Sequence, residues 1–287
     1  MIALIHRHLL LFFKDKSAIF FSLMAVFVVI GLYVSFLGEM MIQPLVKSFG
    51  EGARELSDYW IIAGTMGTVA LTTSLSAMSV MIEDRSNQIV KDFYVSPIGN
   101  FKIMLSYFIS TFLITFIISI VALIIGESYI VYYGGHCLSI LTLLKLFAAM
   151  TLIIITCVTI LLALMLPFQS ISAFSNITTI VGTLSGFLMG IYVPIGVLPL
   201  GLQKVIRVFP ISHGASLYRK IMMEDVMQRI FKGVNNETIE AFRINFGLDF
   251  VYQNFKCNSQ TNVLILILTA LFFMIPLCIV IKKRHLK

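Results

Sequence analysis

The segment 83–99, EDRSNQIVKDFYVSPIG, holds three acidic and two basic side chains between two apolar runs that are each long enough to cross a bilayer. Its apolar residues recur at helical spacing, which predicts an amphipathic helix of about three turns over 83–95. Ser96 and Pro97 then end this helix, because the residue before a proline is biased away from the α conformation. The residues of the predicted apolar face are Ile89, Val90, Phe93 and Tyr94.

A short amphipathic helix between two spans can have either of two functions, and its periodicity does not distinguish between them. It suits docking into a groove on another protein, where it presents an apolar face with flanking charges. It suits equally well an ordinary helix that lies on the membrane surface. The charged side chains available for either set of contacts are Asp84, Arg85, Lys91 and Asp92.

A second set of polar side chains lies inside two apolar segments, 59–82 and 171–193. Small and hydroxyl-bearing residues recur there about every four residues, which places them on one stripe of each helix. Such stripes either pack helices closely, with hydroxyls bonding across them, or form a moderately polar cavity wall for an amphiphilic substrate. Two polar stripes in one chain favour a shared cavity. The predicted cavity residues are Thr65, Thr68, Thr72, Thr73, Ser76, Ser175, Asn176, Thr179 and Thr183.

The motifs of common catalytic and nucleotide-binding sites do not occur in the sequence. The dipeptide Gly-Lys is absent, which excludes a P-loop, and neither HExxH nor GxSxG is found. The four cysteines form no CxxC pair, and the five histidines all lie outside the apolar segments, so no metal site is predicted. No ionisable residue lies in the middle of a span, which argues against a proton- or sodium-coupled transporter and an intramembrane enzyme.

The elements that carry these residues are predicted to be membrane helices. The 287 residues are 59% hydrophobic and 12% charged, far from the composition of soluble domains. About twenty apolar residues span a bilayer, and the first sixteen residues form a basic surface helix ahead of an uncleaved first span. The predicted fold is an all-α integral membrane protein with six transmembrane helices at 17–38, 59–82, 103–126, 146–166, 171–193 and 261–281.

The distribution of basic residues predicts which ends of these helices face the cytoplasm. With both termini inside, the short cytoplasmic segments hold ten Lys or Arg residues, against three in the outer loops 39–58 and 127–145. This bias places both termini and the segment 83–99 in the cytoplasm, and the segment 194–260 outside. Prolines divide the first part of the outer segment into amphipathic pieces at 195–209 and 212–231, which lie on the membrane interface or dip into it. From about 232 to 260 the composition is that of a small soluble cap. The net charge of +7 comes without a basic helix or an aromatic-basic platform, so anionic lipids rather than nucleic acid are the predicted partner.

The order of these features resembles the permease subunits of type-2 ABC exporters. Glu-x-Arg at 83–85, an apolar helix and Val-Ser-Pro-Ile at 95–98 follow the second of six spans, where those permeases carry a coupling helix. The surface helix, the tight turn at 167–170 and the broken re-entrant segment before the last helix resemble further parts of the same family. The chain departs from the family pattern at 87–89, where Asn-Gln-Ile replaces a frequent glycine–threonine pair.

The resemblance implies a single type-2 ABC transmembrane domain over 1–287 that exports a drug, a lipid-like molecule or a peptide natural product. It implies that ATP and Mg²⁺ are bound by a separate ATP-binding-cassette ATPase subunit, so that this chain is no enzyme and holds no cofactor. It also implies a second permease copy, identical or a sibling, in the plasma membrane. The residues that it assigns to coupling are Glu83, Asp84, Arg85, Lys91, Asp92, Phe93, Tyr94, Ser96 and Pro97.

Two alternatives to this interpretation stay open at the level of sequence. Export permeases for polysaccharides or glycolipids share the architecture, but they line their channel with aromatic residues, whereas the candidate walls here are rich in hydroxyls. An ATP-independent six-span protein, such as a channel or a sensor partner, is the alternative from another class. The absence of intramembrane charge and of catalytic motifs argues against it.

Overall fold

A computed structural model describes residues 1–50, 52–252 and 255–284 of the chain. Their secondary structure is almost entirely helical, with one two-stranded antiparallel hairpin. A π-helical turn at Tyr33–Leu37 joins α2 to α3, and a short 3-10 turn at Ile195–Val197 precedes α9. The elements are α1 Ile2–Lys14, α2 Lys16–Leu32, α3 Gly38–Phe49, α4 Ala53–Ser86, α5 Ile89–Val95, α6 Asn100–Tyr132, α7 Ile140–Met165, α8 Ile171–Leu188, α9 Leu200–Val208, α10 Pro210–Met222, α11 Glu224–Ile230, α12 Asn236–Asn245, β1 Val251–Tyr252, β2 Phe255–Lys256 and α13 Ser259–Arg284.

The six predicted spans are confirmed within the described part of the chain. Six helical segments are long and apolar enough to cross a membrane, and the protein is an all-α, multi-pass membrane protein. The bounds differ most in α4 and α6, which extend beyond the predicted 59–82 and 103–126 at both ends. The 34 residues of α4 measure about 51 Å, more than the roughly 30 Å of a hydrocarbon core. Its ends therefore stand outside the apolar layer, where polar residues are tolerated.

The long helix α4 is the centre of the bundle. It packs against α2, α6, α7, α8 and α10, and most of its side chains are buried. The bundle has two ends: the α1 end holds α1 and α5, and the cap end holds residues 195–252 and 255–256. Since α4 runs from one end to the other, it is the element through which the two ends are mechanically connected.

The predicted N-terminal surface helix is present as α1. Leu4, His8 and Phe12 recur every four residues and form its buried face, which packs on α6. Asp15 then separates α1 from α2, because its carboxylate accepts hydrogen bonds from the backbone amides of Ser17 and Ala18 at 2.9 and 3.1 Å. This N-cap starts the first span immediately after the surface helix.

The first part of the helical piece 212–231, predicted to lie on the membrane interface or to dip into it, is buried inside the bundle. In α10 every residue from Ile211 to Lys220 is buried, because the helix enters the bundle between α4, α7 and α13. Two glycines of α4 provide the space: a Cβ on Gly67 would stand 3.3 Å from the Ala215 Cβ, and one on Gly64 would stand 2.9 Å from Arg219 Nη2. The neighbouring piece, α9, is amphipathic and keeps an exposed apolar face, as predicted.

Arg219 of α10 holds the cap end of α8 in place. Its side chain is fully buried, and its Nη2 donates to the carbonyl oxygens of Met189 and Gly190, the latter at 2.9 Å. The guanidinium also lies over the Trp60 ring of α4, with Cζ 5.0 Å from the ring centroid. The predicted span 171–193 ends early, at Leu188, because Gly190 takes a positive φ of 61° there. Arg219 thereby joins α4, α8 and α10.

The cap is stabilised by a buried carboxylate. Asp249 accepts from Arg243 Nε at 2.6 Å and lies 3.1 Å from Lys220 Nζ. Burial opposes ionisation of Asp249, but the bond from Arg243 and the charge of Lys220 prevail and hold its pKa below the ordinary value. Lys220 belongs to α10, so this ion pair fixes the cap to α10.

The close approach of α4 and α10 gives the first testable prediction. Replacing Gly67 by Leu inserts a side chain where Met189 Sδ and Ala215 Cβ stand 3.2 and 3.3 Å from the added Cβ. Overpacking of this kind costs about 1–3 kcal/mol. The thermal unfolding midpoint of Gly67→Leu in detergent is therefore expected to fall by several degrees.

The matched control for this prediction is Gly31→Leu in α2, because a Cβ at Gly31 meets no atom within 4 Å. This variant is expected to unfold at the temperature of the unmodified protein. Equal midpoints for the two variants would contradict the packing of α10 on α4.

Candidate functional site

At the α1 end, Asp84 joins three helices through one buried carboxylate. Its side chain is about 3% exposed, and Arg7 of α1 binds both of its oxygens, with Nη2–Oδ1 at 2.7 Å and Nη1–Oδ2 at 2.8 Å. The Tyr107 hydroxyl of α6 donates to Oδ2 at 2.7 Å. A bidentate arginine–carboxylate pair fixes both distance and orientation. Asp84 therefore ties the last turn of α4 to α1 and α6.

His8 packs beside this carboxylate in its neutral form. Its ring stacks on the Tyr107 ring at a centroid distance of 4.3 Å, and its Nδ1 lies 3.3 Å from the Ser110 hydroxyl. Burial lowers the pKa of His8 to about 4, and the Arg7 charge acts in the same direction, whereas Asp84 opposes it. Arg7 already neutralises Asp84, so a protonated His8 would add an unbalanced buried charge.

Arg85, the next residue along α4, contacts the opposite side of the bundle. Its Nη1 donates to the carbonyl oxygens of Met165 and Leu166 at 3.1 and 3.3 Å. These carbonyls lie at the end of α7 and have no partner within the helix, so a cationic donor stabilises them. Two adjacent charged residues thus connect the end of α4 to α1 and α6 on one side and to the turn between α7 and α8 on the other.

The structure corrects the prediction of one three-turn helix over 83–95. Residues 83–86 are the last turn of α4, and α5 covers only Ile89–Val95. Gln88 separates the two helices because its φ of 61° lies in the left-handed region. This break has little signature in the sequence, since asparagine and glutamine at 87 and 88 are compatible with a helix.

The short helix α5 presents one face to the bundle and one to the outside. Val90 is buried, and the half-buried Phe93 ring lies beneath the Arg7 guanidinium at 5.5 Å. The helix ends where the Ser96 hydroxyl donates to the Phe93 carbonyl at 2.6 Å, just before Pro97. The exposed residues of this part of the chain include Glu83, Lys91, Asp92, Tyr94, Val95 and Pro97.

The residues predicted to contact a partner therefore divide into two groups. Asp84 is buried and Arg85 is half-buried, and both make contacts within the chain, so Asp84 is not exposed for direct contact with a partner. The exposed residues form a surface beside a recess of about 370 Å³ between α5 and the turn after α7, lined by Arg85, Gln88, Lys91, Tyr94 and Gln169 among others. We call this the α5 surface.

The predicted cavity residues also fall into two groups, one exposed and one buried. Ser175, Asn176, Thr179 and Thr183 are exposed on α8, and Thr72 and Ser76 are partly exposed on α4. A recess of about 230 Å³ between the two helices is lined by side chains that include Ser79, Ser175 and Thr179. The hydroxyl-bearing residues exposed on α8, together with Thr72 and Ser76, form what we call the open face.

Three predicted cavity residues lie inside the chain instead. Thr65, Thr68 and Thr73 are buried. Thr65 and Thr68 share the stripe of Thr72, but α10 and the chain after α8 cover the cap-end half of this stripe, as the contacts of Gly64 and Gly67 show. Thr73 lies about 100° around the helix from Thr72 and faces the bundle.

Sequence reasoning missed Arg7, Tyr107 and Arg219 as site residues. Arg7 and Arg219 are charged residues on apolar helices, which is a signal for a buried partner or a specific contact. No spacing rule connects Arg7 to Asp84, because they are 77 residues apart. Tyr107 is an ordinary aromatic residue near the start of a span, and the sequence offers no signal for its bond to Asp84.

The fold and these surfaces define a permease-type membrane protein: six spans, a surface helix, a short exposed helix after the second span and a re-entrant helix before the last. The family model for ABC-2 family transporter proteins matches residues 42–281, and the chain belongs to this family. Members are membrane subunits of transporters and normally work with an ATP-binding subunit. A comparison with curated protein sequences gives no match.

The environment of His8 gives a prediction for the pH dependence of stability. The folded pKa of about 4 lies below the ordinary 6.5, so the unfolded chain binds a proton that the folded chain excludes. The contribution of neutral His8 to the free energy of unfolding is fully present above pH 6.5 and is lost as the pH falls towards 4. The unfolding midpoint is expected to decrease between about pH 7.5 and 5.

Two variants separate this effect from general acid sensitivity. His8→Phe keeps the stacked ring but cannot titrate, so its midpoint is expected to depend less on pH. His6→Gln removes an exposed histidine of the same helix and should leave the pH dependence unchanged. An identical pH profile for His8→Phe and the unmodified protein would contradict the buried neutral state of His8.

Proposed function

We propose that this chain is the membrane-spanning permease of an ATP-driven exporter, powered by an ATPase subunit that docks on the α5 surface. The observation that supports this most directly is the anchoring of α5. A helix of seven residues leaves charged and apolar side chains exposed, with Val95 at 86%, while the Phe93 ring on its inner face lies under Arg7, which Asp84 holds in place. A lone surface helix has no need of such an anchor, whereas a helix that receives a mechanical load does.

In this proposal ATP and Mg²⁺ bind to the ATPase partner, and the chain itself holds no cofactor and catalyses no reaction. Both termini and the α5 surface face the cytoplasm of a cell whose plasma membrane holds the protein, and the cap end faces outwards. The distribution of ten basic residues against three in the short loops supports this orientation. The recess beside α5 contains Arg85 and Lys91, which suits an acidic side chain of the partner.

A second permease copy completes the channel in this proposal. The open face leaves polar side chains uncovered within a membrane span, where lipid offers them no hydrogen-bond partners. Thr179 and Thr183 satisfy their own hydroxyls by donating to carbonyls one turn earlier, at 2.9 and 2.8 Å. Such a wall is weakly polar, which suits an amphiphilic or hydrophobic substrate such as a drug, a lipid-like molecule or a peptide natural product.

The contacts of α4 provide a transport mechanism. Closure of the ATPase subunits would push on α5, and the Asp84 and Arg85 contacts would pass this load to α4 and to the turn that starts α8. Because α4 and α8 carry the open face, their movement would change the access of the cavity between the two copies from one side of the membrane to the other. This is alternating access driven from the α5 surface.

Charge reversal on the α5 surface tests the docking directly. When the tagged chain is purified from its native membrane in mild detergent, a stoichiometric subunit that carries a P-loop is expected to accompany it. Asp92→Arg is expected to lower the recovered ATPase at least about tenfold, which corresponds to roughly 1.4 kcal/mol of binding free energy. Its stability should not change, because Asp92 is exposed.

The matched control is Glu237→Arg, which reverses an exposed acidic residue in the cap at the other end of the bundle. This variant is expected to recover the ATPase in full. Recovery of the chain alone, even after gentle crosslinking, would overturn the proposal in favour of an ATP-independent membrane protein. Equal loss in both variants would show that the α5 surface has no special role.

A further inference from the structure

At the cap end, an apolar groove of about 670 Å³ lies between α6 and α7. It is separate from the α5 surface and from the open face, which involve α5 and the α4–α8 pair. Exposed lining residues, including Ile124 at 59% and Val131 at 44%, open the groove to the outside of the bundle. Both helices are membrane spans, so this opening faces lipid. The apolar walls include Ile120, Leu123, Ile124, Leu143 and Phe147.

One carboxylate, that of Glu127, lines this apolar groove. Its Oε2 accepts a hydrogen bond from the Leu138 amide at 3.3 Å. Its Oε1 is buried and has no hydrogen-bond partner among the residues that the structure describes. A buried polar atom without a partner carries the full cost of its desolvation. Glu127 Oε1 can therefore accept a hydrogen bond from a donor on another molecule.

Three cationic side chains at this end of the bundle contact other residues instead of Glu127. Lys145 pairs with Glu224 at 2.8 Å, and Arg229 pairs with Glu55 at 2.8 Å. Arg54 lies over the Tyr133 ring, with Cζ 4.3 Å from the centroid. In the described part of the chain, Glu127 forms no ion pair, so a cation that pairs with it has to come from another molecule.

We propose that this groove binds a long-chain amine, an amphiphile with a primary ammonium headgroup and no phosphate, which enters from the surrounding lipid. The ammonium is a compact cation with three donors, and it would pair with Glu127 and satisfy Oε1. The hydrocarbon tail would lie along the apolar walls of the groove. The lining residues include no lysine or arginine, so a phosphate would find no partner there, which disfavours an ordinary aminophospholipid.

The structure contains a natural reporter for occupancy of this site. Cys137 is exposed and lines the groove, in the segment between α6 and α7. An amphiphile in the groove would slow the reaction of Cys137 with a small neutral maleimide. The labelling rate can be read by peptide mass spectrometry and compared with the rate in a sample without amphiphile.

The test uses the full chain in phosphatidylcholine nanodiscs near neutral pH, with dodecylamine as the probe and dodecanol as the uncharged equivalent. Dodecylamine is expected to slow labelling of Cys137 by about fivefold or more relative to the sample without amphiphile, equivalent to at least four-fifths occupancy. Dodecanol is expected to have little effect. Glu127→Gln should abolish the protection, and Glu39→Gln, which removes an exposed acid elsewhere, should keep it.

Each other outcome overturns the proposal. Equal protection by dodecanol, or protection that Glu127→Gln retains, would mean that the groove holds apolar chains without regard to charge. Protection by added phosphatidylethanolamine alone would identify the occupant as an aminophospholipid. If Cys137 reacts slowly without any probe and faster when two copies are separated, the groove is an interface between copies. The unprobed labelling rate and unfolding midpoint of Glu127→Gln verify that the variant is folded.

Discussion

The organisation of the α1 end depends on the ion pair between Asp84 and Arg7. A carboxylate buried at the end of a membrane helix is unfavourable unless charged and polar donors surround it. Arg7 and Tyr107 provide those donors from α1 and α6. Removing any one of them leaves a buried charge or hydroxyl without its partner. The same Arg7 covers Phe93, so the position of α5 follows from how Asp84 is satisfied.

The central helix α4 then connects this end to the cap. Its cap-end half is covered by α10 through the close contacts of Gly64 and Gly67, and Arg219 holds the end of α8 against it. Its other half leaves Thr72 and Ser76 beside the open face of α8. One rigid helix thus links the α5 surface, the open face and the re-entrant segment. In the proposed mechanism, this continuity allows a load on α5 to change the cavity wall.

The spans and the class of fold could be predicted from the sequence, because hydropathy over about twenty residues is a strong signal in a bilayer. The burial of α10 could not be predicted from periodicity, since an amphipathic helix such as 210–222 is compatible with an interfacial position. The break at Gln88 depends on a single left-handed residue that has no compositional mark. Asp84 was identified as a site residue, but its role changed. Its partner Arg7 lies 77 residues away, and only the folded chain brings the two together.

In the proposed mechanism, the Asp84 contacts transmit movement from the α5 surface to the open face. The most direct measurement is the distance between spin labels at position 183 of two copies in the complex with the ATPase, before and after trapping with ATP and vanadate. Cys137 and Cys278 are replaced by serine to prevent labelling elsewhere. Trapping is expected to shift this distance, and Asp84→Asn is expected to remove the shift while the ATPase stays bound. An unchanged distance, or a shift that Asp84→Asn retains, would contradict this mechanism.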